Sequence, residues 1–234
     1  MTEAAGIEFT RVRVVAGDRL LLSIPALQLT EPRITVIGPN GGGKSTLLQL
    51  INGLVEPTEG FVSVDGHDTV DHGRAVRQSA GFVFSSPAAQ LVMPTPLEDV
   101  ELSLRRTVRD SSARRAAATQ CLTELGIADL ADRSSQELSS GQQQLVALAT
   151  VLVLKPRILL LDEPTTLLDL INARRFIQQV EALGQRQKIT TITATHDLDL
   201  AARADRTLLV QGGRIVADGP PERVIGTYRQ HSTV

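Results

Sequence analysis

Apolar residues recur with the period of β-strands near the start of the chain, and with alternating strand and helix periods further on. Short β-branched or apolar runs, bounded by glycine and polar turn residues, predict the early strands. These runs cover residues 7–15, 20–29, 33–37 and 61–64. The third run leads directly into a glycine-rich turn, and residues 45–53 behind that turn have the apolar face of a helix.

The middle of the chain has a different composition. From about residue 97 to 154, the frequent Ala, Leu, Arg, Glu and Gln favour helix over strand. The clearest helices are predicted over 111–125 and 141–154, with Ser139 or Ser140 as the N-cap of the second. Strands are predicted again over residues 157–161, 189–194 and 206–210. Because strands and helices alternate, we expect a mostly parallel sheet.

These elements predict an α/β fold. Its core is a mostly parallel sheet with antiparallel N-terminal strands, into which an α-helical subdomain is inserted. The 234 residues suffice for one such domain. Within a single domain over 1–234, we place the helical subdomain at about 86–154 and the sheet-containing core at 1–85 and 155–234.

Composition and charge limit the partners and the cellular compartment that we expect for this chain. A net charge of −2 gives no electrostatic reason to bind nucleic acid, and the absence of Trp and the single Tyr leave few rings for base stacking. The only cysteine, Cys121, cannot form an internal disulfide, which fits a reducing compartment. Residues 1–11 do not have the apolar core of a signal peptide, and no apolar run is long enough to span a membrane. We therefore expect any membrane role to depend on a partner.

A complete phosphate-loop pattern stands between a predicted strand and a predicted helix. It consists of Gly38, Pro39, Asn40, Gly41, Gly42, Gly43, Lys44, Ser45 and Thr46. Glycines let backbone N–H groups surround phosphate oxygens, and the helix N-terminus adds partial positive charge. Lys44 is expected to reach the β- and γ-phosphates of ATP, and the Ser45 hydroxyl to ligate Mg²⁺. A glycine-rich turn with a chance lysine would not explain the flanking elements.

A second acidic half of such a site follows the apolar run at 158–161. Asp162 and Glu163 stand at the carboxyl end of a predicted parallel strand, where they face the crevice of the phosphate loop. We expect Asp162 to hold Mg²⁺ through water and Glu163 to orient or deprotonate the attacking water. The alternative is an acidic pair that caps a helix.

Leu138, Ser139, Ser140, Gly141 and Gln142 resemble the signature motif of ATP-binding cassette (ABC) proteins, in which Leu-Ser-Gly-Gly-Gln is usual. Hydroxyls and amides at a helix start form an anion site outside the pocket of the chain's own phosphate loop. Such a site is useful if it completes the nucleotide pocket of a second copy. The alternative is a helix with a simple serine cap.

Further motifs of the same family follow in order. Leu168 and Asp169 resemble the D-loop, which crosses the dimer interface in that family, and His196 resembles the switch histidine that contacts the γ-phosphate. Residues 212–219 resemble the final strand turn. The resemblance covers essentially the whole chain and implies a P-loop NTPase (RecA-like) fold, with ATP and Mg²⁺ as cofactors.

The sequence departs from the family pattern at three positions. Ala16 falls near the place where an aromatic residue commonly stacks on adenine, and Ser140 replaces the first signature glycine. Ser85 stands where the family places the Q-loop glutamine, which senses Mg²⁺ and the membrane partner. Nearby Gln90 is our candidate to replace it as a Mg²⁺ ligand.

Residues 85–100 resemble the corresponding segment of energy-coupling factor (ECF) ATPases. That resemblance implies an importer of a vitamin or transition-metal ion, and the short chain favours the biotin or cobalt systems. The implied partners are a membrane coupling protein and a substrate-binding membrane protein, which would hold the chain at the cytoplasmic face of the membrane. Because all motifs occur in one chain, we expect an ATP-sandwich homodimer.

Three other functions are considered. A soluble ABC ATPase of DNA repair would need a long coiled coil between Lys44 and Gly141, and the interval is too short. Translation members carry two cassettes, whereas this chain has one. The third function is a cassette that binds ATP without hydrolysing it. The presence of Asp162, Glu163 and His196 argues against this function, whereas Ser85 in place of the Q-loop glutamine keeps it as an alternative. A metal site in the turn is a minor hypothesis, built from Asp65, His67, Asp71 and His72.

Overall fold

The computed structural model describes residues 6–231, so the first five residues of the segment expected not to be a signal peptide lie outside this range. The chain forms two compact units. Among the described residues, the sheet unit comprises 6–80, 157–163 and 188–231, and the helical unit comprises 81–156 and 164–187.

Among the described residues, seven strands lie close to the predicted positions, and three further strands were not predicted. In chain order, the strands are β1 (Ile7–Ala16), β2 (Arg19–Leu29), β3 (Arg33–Ile37), β4 (Glu59–Val64), β5 (His67–Asp68), β6 (Ala80–Val83), β7 (Ile158–Asp162), β8 (Thr190–Ala194), β9 (Arg206–Gln211) and β10 (Arg214–Gly219). In the sheet unit they lie in the order β5-β4-β1-β2-β10-β9-β3-β8-β7. β3 pairs in parallel with β8 and β9, and β7 pairs in parallel with β8, whereas β1 pairs antiparallel with β2 and β4. The expected fold class is therefore confirmed.

The helices are divided between the two units. The sheet unit has α1 (Lys44–Asn52), α2 (Gly73–Ser79), α8 (Leu198–Ala201) and α9 (Pro221–His231). The helical unit has α3 (Pro87–Gln90), α4 (Pro96–Leu104), α5 (Ser111–Glu124), α6 (Ser140–Leu152) and α7 (Leu170–Gln187), with 3₁₀ turns at Ala128–Leu130 and Ser135–Glu137. Among the described residues, no helix combines the length and apolarity needed to cross a membrane.

The core of the sheet unit explains why its central strands are apolar throughout. All five residues of β7 are buried, as are four of the five in β3. Strands of a parallel sheet are covered on both faces, so they lack the alternating pattern of β1. α1 adds Leu47, Leu48, Leu50 and Ile51, each 0% exposed. This packing anchors the segment that joins β3 to α1.

The helical unit contains α7, a helix that the sequence did not lead us to predict. Its buried residues Phe176, Ile177, Val180 and Leu183 follow helical spacing, and they are separated by polar and charged residues. Within this unit, Gln179 Nε2 donates to the carbonyl oxygen of Leu125 at 3.0 Å. Residues 164–187 thus pack in the helical unit, although we had placed them in the sheet-containing core.

The four residues of the hypothetical metal site in the turn do not form a cluster of metal ligands. The His67 and His72 rings pack edge to face at 5.7 Å, and His67 Nδ1 lies 3.1 Å from the Asp65 carbonyl oxygen. Across residues 6–231, no group of three or more His, Cys, Asp or Glu side chains is arranged to hold a metal ion. That hypothesis is therefore not supported.

Candidate active site

The phosphate loop is held in place by backbone contacts on its outer side. Gly38 has φ 142°, and a Cβ there would overlap the Val210 carbonyl oxygen. The Gly213 N–H donates to the Gly42 carbonyl oxygen at 3.0 Å. Gly43, at φ 112°, precedes α1 without a side-chain cap. The first N–H groups of α1 are thus not covered by a capping side chain, which is what a phosphate site at a helix N-terminus requires.

Lys44 is a buried cation surrounded by oxygen atoms. The residue is 5% exposed, and its Nζ donates to the carbonyl oxygens of Gly38 at 2.9 Å and Pro39 at 3.3 Å. The same Nζ lies 3.3 Å from Glu163 Oε1. A buried ammonium needs such partners because desolvation otherwise disfavours its charge. The positive charge therefore stands beside the phosphate loop with its position fixed.

Ser45 and Asp162 bring two oxygen ligands together at the ends of α1 and β7. The Ser45 hydroxyl donates to Asp162 Oδ1 at 2.9 Å. Burial raises the pKa of Asp162; the bond from Ser45 opposes the rise, the charge of Glu163 adds to it, and Lys44 opposes it. A bound cation would favour the ionised carboxylate, and Mg²⁺ prefers hard oxygen ligands. The chemistry of this pair fits Mg²⁺.

Glu163 has an uncommon backbone conformation. Its φ is 47°, in the left-handed region, which costs a non-glycine residue about 1–2 kcal/mol. The Glu163 N–H donates to the Ala194 carbonyl oxygen at 2.9 Å and so holds this conformation against the end of β8. Glu163 Oε2 lies 2.7 Å from His196 Nδ1, and Oε1 faces Lys44. The two oxygens of this carboxylate are thus oriented by different neighbours.

The sheet unit therefore brings five of the predicted site residues together, although they lie far apart in sequence. They are Lys44, Ser45, Asp162, Glu163 and His196. The site joins a cation beside backbone N–H groups, an oxygen pair for a hard metal ion, and a carboxylate next to an imidazole. These are the parts needed for transfer of a phosphoryl group to water.

The signature residues form the N-terminus of α6 in the helical unit. The Ser139 hydroxyl accepts from the Gln142 N–H at 3.3 Å, and the Gln142 side chain accepts from the Ser139 N–H at 2.9 Å. This reciprocal pair is a capping box. Ser140 Oγ instead donates to the Leu167 carbonyl oxygen at 2.8 Å, so the residue that replaces a glycine has a bonding partner of its own.

Asp169 caps α7 next to these residues. Its Oδ1 accepts from the N–H groups of Ile171 and Asn172, both at 2.9 Å, and these bonds with Asn172 lower the pKa of its carboxyl. A Cβ at Gly141 would lie 3.5 Å from the Asn172 side chain. The helical unit thus places the signature segment and the D-loop side by side.

Gln90 is bonded entirely within the helical unit. Its Oε1 accepts from the Phe84 N–H at 3.2 Å, and its Nε2 donates to the Ala147 carbonyl oxygen at 3.1 Å and the Thr150 hydroxyl at 3.2 Å. The side chain ties the segment after β6 to α6. To act as a Mg²⁺ ligand it would have to release the Phe84 N–H, and its role at the metal stays a prediction.

Sequence reasoning did not identify several residues that contact the phosphate loop or the signature segment. Val210 and the N–H of Gly213 lie against the phosphate loop, and the Leu167 carbonyl and Asn172 lie against the signature segment. Gly213 stands in a recognisable turn, and Asn172 follows Asp169 by the spacing of one helical turn. The Val210 and Leu167 contacts are made by backbone carbonyls, for which the sequence has no signal.

Comparison with known proteins agrees with this geometry. Residues 27–166 match the ABC transporter family. The biotin transport ATP-binding protein BioM of Rhizobium etli is 41% identical over 224 residues, which cover 96% of this chain and 98% of that protein. The energy-coupling factor transporter ATP-binding protein EcfA1 of Bacillus subtilis is 34% identical over 210 residues, covering 89% of this chain and 75% of that protein.

Solved structures show the same fold. The structure of cbiO1 from Clostridium perfringens, described as part of the ABC transporter complex cbiONQ, has a TM-score of 0.84 at 29% identity and covers 97% of this chain and 93% of that one. The ATP-binding cassette MJ0796, solved as a dimer in a post-hydrolysis state with ADP and Pi, has a TM-score of 0.82 at 30% identity, with coverage of 92% and 98%. The chain therefore belongs to the ABC transporter family and is an ATP-binding, ATP-hydrolysing subunit of that family.

Proposed function

We propose that this chain energises an ECF-type importer of a vitamin or a transition-metal ion, with biotin or cobalt favoured as the substrate. The observation that carries the proposal is the complete catalytic set of the sheet unit, present in the same chain as a signature segment and a D-loop. The BioM and EcfA1 relatives and the cbiO1 structure support the choice of branch.

Each residue of the sheet unit has a proposed role. Lys44 binds the β- and γ-phosphates, which compete with Glu163 for its ammonium group. Ser45 and, through water, Asp162 would hold Mg²⁺, and the bound ion would neutralise phosphate charge. Glu163 orients the attacking water and accepts its proton. His196 Nδ1 lies 2.7 Å from Glu163 Oε2, and we propose that this imidazole contacts the γ-phosphate.

The helical unit is proposed to be the signature subdomain, and its exposed end is proposed to meet a second copy. Ser139–Gln142 would complete the partner's nucleotide site, and Asp169 would cross the interface. Leu167, Leu170 and Ile171, which surround Asp169, are 54%, 67% and 65% exposed. Adjacent exposed apolar side chains of this kind are typical of an interaction surface. Their place beside the signature segment supports a homodimer that sandwiches ATP.

A groove in the helical unit is proposed to contact the membrane coupling protein. It has a volume of about 650 Å³ and is lined by the segment after α3 and by residues before α6. Val92, which lines the groove, is 69% exposed, and Phe84, between β6 and α3, is 37% exposed. Through this contact the chain would be held at the cytoplasmic face of the membrane beside a substrate-binding membrane protein.

The first experiment is steady-state ATP hydrolysis with Mg²⁺ at several protein concentrations. We expect activity to rise more than linearly with concentration and to fall by about 10²–10⁴-fold in Glu163→Gln, because that variant lacks the proton acceptor. Glu56→Gln is the matched control, because it makes the same change from carboxylate to amide at an exposed position of the sheet unit. Equal activity in Glu163→Gln and Glu56→Gln would reject Glu163 as the base.

The substrate is tested with the membrane proteins. We expect the chain to copurify with a coupling protein and a substrate-binding protein encoded beside it, and to support uptake of labelled biotin or Co²⁺ by cells that express all components. Uptake of neither substrate by a complex that hydrolyses ATP would overturn the substrate assignment. Failure to copurify with any membrane protein would favour the soluble ABC ATPase alternative.

A further inference from the structure

Arg19 is an exposed arginine at the edge of the phosphate loop. It begins β2, and one of its terminal guanidinium nitrogens lies 3.9 Å from the position that a Cβ at Gly41 would occupy. Within residues 6–231, no hydrogen bond or ion pair joins this guanidinium to another side chain or to the backbone. A cationic, planar group therefore stands beside the loop without a partner in the protein.

The β1–β2 hairpin determines where this side chain points. Ala16 and Arg19 are directly opposite each other across the two strands, separated by a two-residue turn with Gly17 at φ 58°. Opposed residues of an antiparallel pair project from the same face, about 5 Å apart at Cβ. Ala16 has no side-chain atom beyond Cβ, so on this face the guanidinium of Arg19 is not covered by its cross-strand neighbour.

The described Phe and Tyr rings of the sheet unit lie elsewhere. Phe9 is buried in the core, and Tyr228 packs against a cluster around Val224. Phe61 is opposite Thr10, six residues before Ala16 on β1, which is about 20 Å along a strand. A base attached to phosphates in the loop would thus meet the flat face of Arg19 rather than a ring from these residues.

We propose that the Arg19 guanidinium stacks on the adenine ring of the nucleotide bound at the phosphate loop. The inference rests on the proposed function, because it needs a nucleotide at Lys44 and Ser45. Guanidinium planes stack on aromatic faces, whereas a lysine ammonium is a point charge without such a plane. Arg19 is then a base-binding residue of this chain, distinct from the groups that hold the phosphates.

Binding of ADP and of inorganic pyrophosphate, each measured calorimetrically with Mg²⁺, separates base contact from phosphate contact. We expect Arg19→Ala to weaken ADP binding by about five- to thirty-fold while pyrophosphate changes by less than about two-fold. Arg19→Lys is expected to bind ADP as weakly as Arg19→Ala, because it keeps the charge and loses the plane. Arg74→Ala, which removes an exposed arginine from α2, is expected to bind both ligands as the wild type does.

A second variant tests the position itself. Adding Ala16→Tyr to Arg19→Ala places a ring across the strand from residue 19, and we expect it to restore ADP affinity. Unchanged ADP binding in Arg19→Ala, recovery by Arg19→Lys, or equal weakening of ADP and pyrophosphate would each overturn the proposal. A wild-type chain that binds neither ADP nor ATP would instead reject the proposed nucleotide site, which is a different result from an Arg19 variant that binds normally.

Discussion

At the scale of single residues, burial changes the pKa of two carboxyl groups in this protein. Asp162 and Asp99 both have raised pKa values because burial disfavours their charge, and each is bonded on one oxygen by neighbouring donors. At Asp162 the buried carboxyl is bonded to Ser45, and we propose that it helps to hold a cation next to Glu163. Asp99 Oδ1 accepts from the N–H groups of Val92 and Met93, and so fixes the segment before α4. Burial thus accompanies a proposed metal ligand at Asp162 and a structural contact at Asp99.

The raised pKa of Asp99 leads to a prediction about stability. The carboxyl holds its proton to a higher pH in the folded chain than in the unfolded chain. Its contribution to the free energy of unfolding is therefore complete below the unfolded pKa of about 4 and is lost as the pH rises through the folded pKa. Asp99→Asn lacks this titration, and its amide oxygen can still accept from Val92 and Met93.

We expect the wild type to lose stability relative to Asp99→Asn as the pH rises from about 4 to 7, when urea unfolding is measured across that range. Asp129→Asn is the control, because Asp129 is exposed in the same unit. Parallel pH dependences in the wild type and Asp99→Asn would contradict the assignment of a raised pKa to Asp99.

At the scale of elements, the signature helix depends on its first turn. α6 begins with a capping box in which Ser139 and Gln142 satisfy each other's N–H groups. The adjacent Ser140 donates to Leu167 and so connects the start of α6 to the loop before α7. Two neighbouring serines therefore stabilise different contacts, and the signature motif is a structural element as well as a proposed nucleotide contact.

We expect Ser139→Ala to lower the free energy of unfolding by about 1 kcal/mol, because it leaves the Gln142 N–H without its acceptor. Ser139→Asp should unfold within a few tenths of a kcal/mol of the wild type, since aspartate is an equally good cap. Urea unfolding followed by circular dichroism measures both. If Ser139→Asp were destabilised as much as Ser139→Ala, the lost cap would not be the cause.

For the whole molecule, the division into two units is the feature with the clearest consequence. Five proposed site residues belong to the sheet unit, namely Lys44, Ser45, Asp162, Glu163 and His196. The signature segment and Asp169 belong to the helical unit. Glu163 is the last residue of the sheet unit before the chain enters the helical unit, and its left-handed φ belongs to that crossing point. In the proposed dimer, the signature segment and Asp169 of one copy would complete the nucleotide site of the other.

The dimer is tested by trapping it before hydrolysis. We expect Glu163→Gln with saturating Mg-ATP to elute at twice the molar mass of the monomer in size exclusion with light scattering, and to return to the monomer when ADP replaces ATP. Nucleotide bound at an interface stabilises the dimer by mass action, and slow hydrolysis prolongs that state. A strictly monomeric Glu163→Gln chain that binds Mg-ATP would count against the ATP sandwich.

Predicted and observed bounds agree most closely for those strands and helices that are determined by neighbouring residues in the sequence. The predicted strand at 33–37 is β3, and the predicted helices at 111–125 and 141–154 are α5 and α6 within two residues at each end. Apolar period, a serine cap and glycine stops act over one or two turns of chain. α7 was not predicted, although Phe176, Ile177, Val180 and Leu183 have the spacing of one apolar helix face.

The sequence by itself determined the strand–loop–helix context of the phosphate loop, the acidic end of β7 and the order of the family motifs. These follow from residue types at fixed spacing along the chain. Only the tertiary structure decided that Glu163 faces both Lys44 and His196, that Ser140 meets the Leu167 carbonyl, and that Arg19 reaches the edge of the loop at Gly41. The physical reason is that these contacts join segments that are distant in sequence. They form only when the whole chain packs, and no local pattern specifies them.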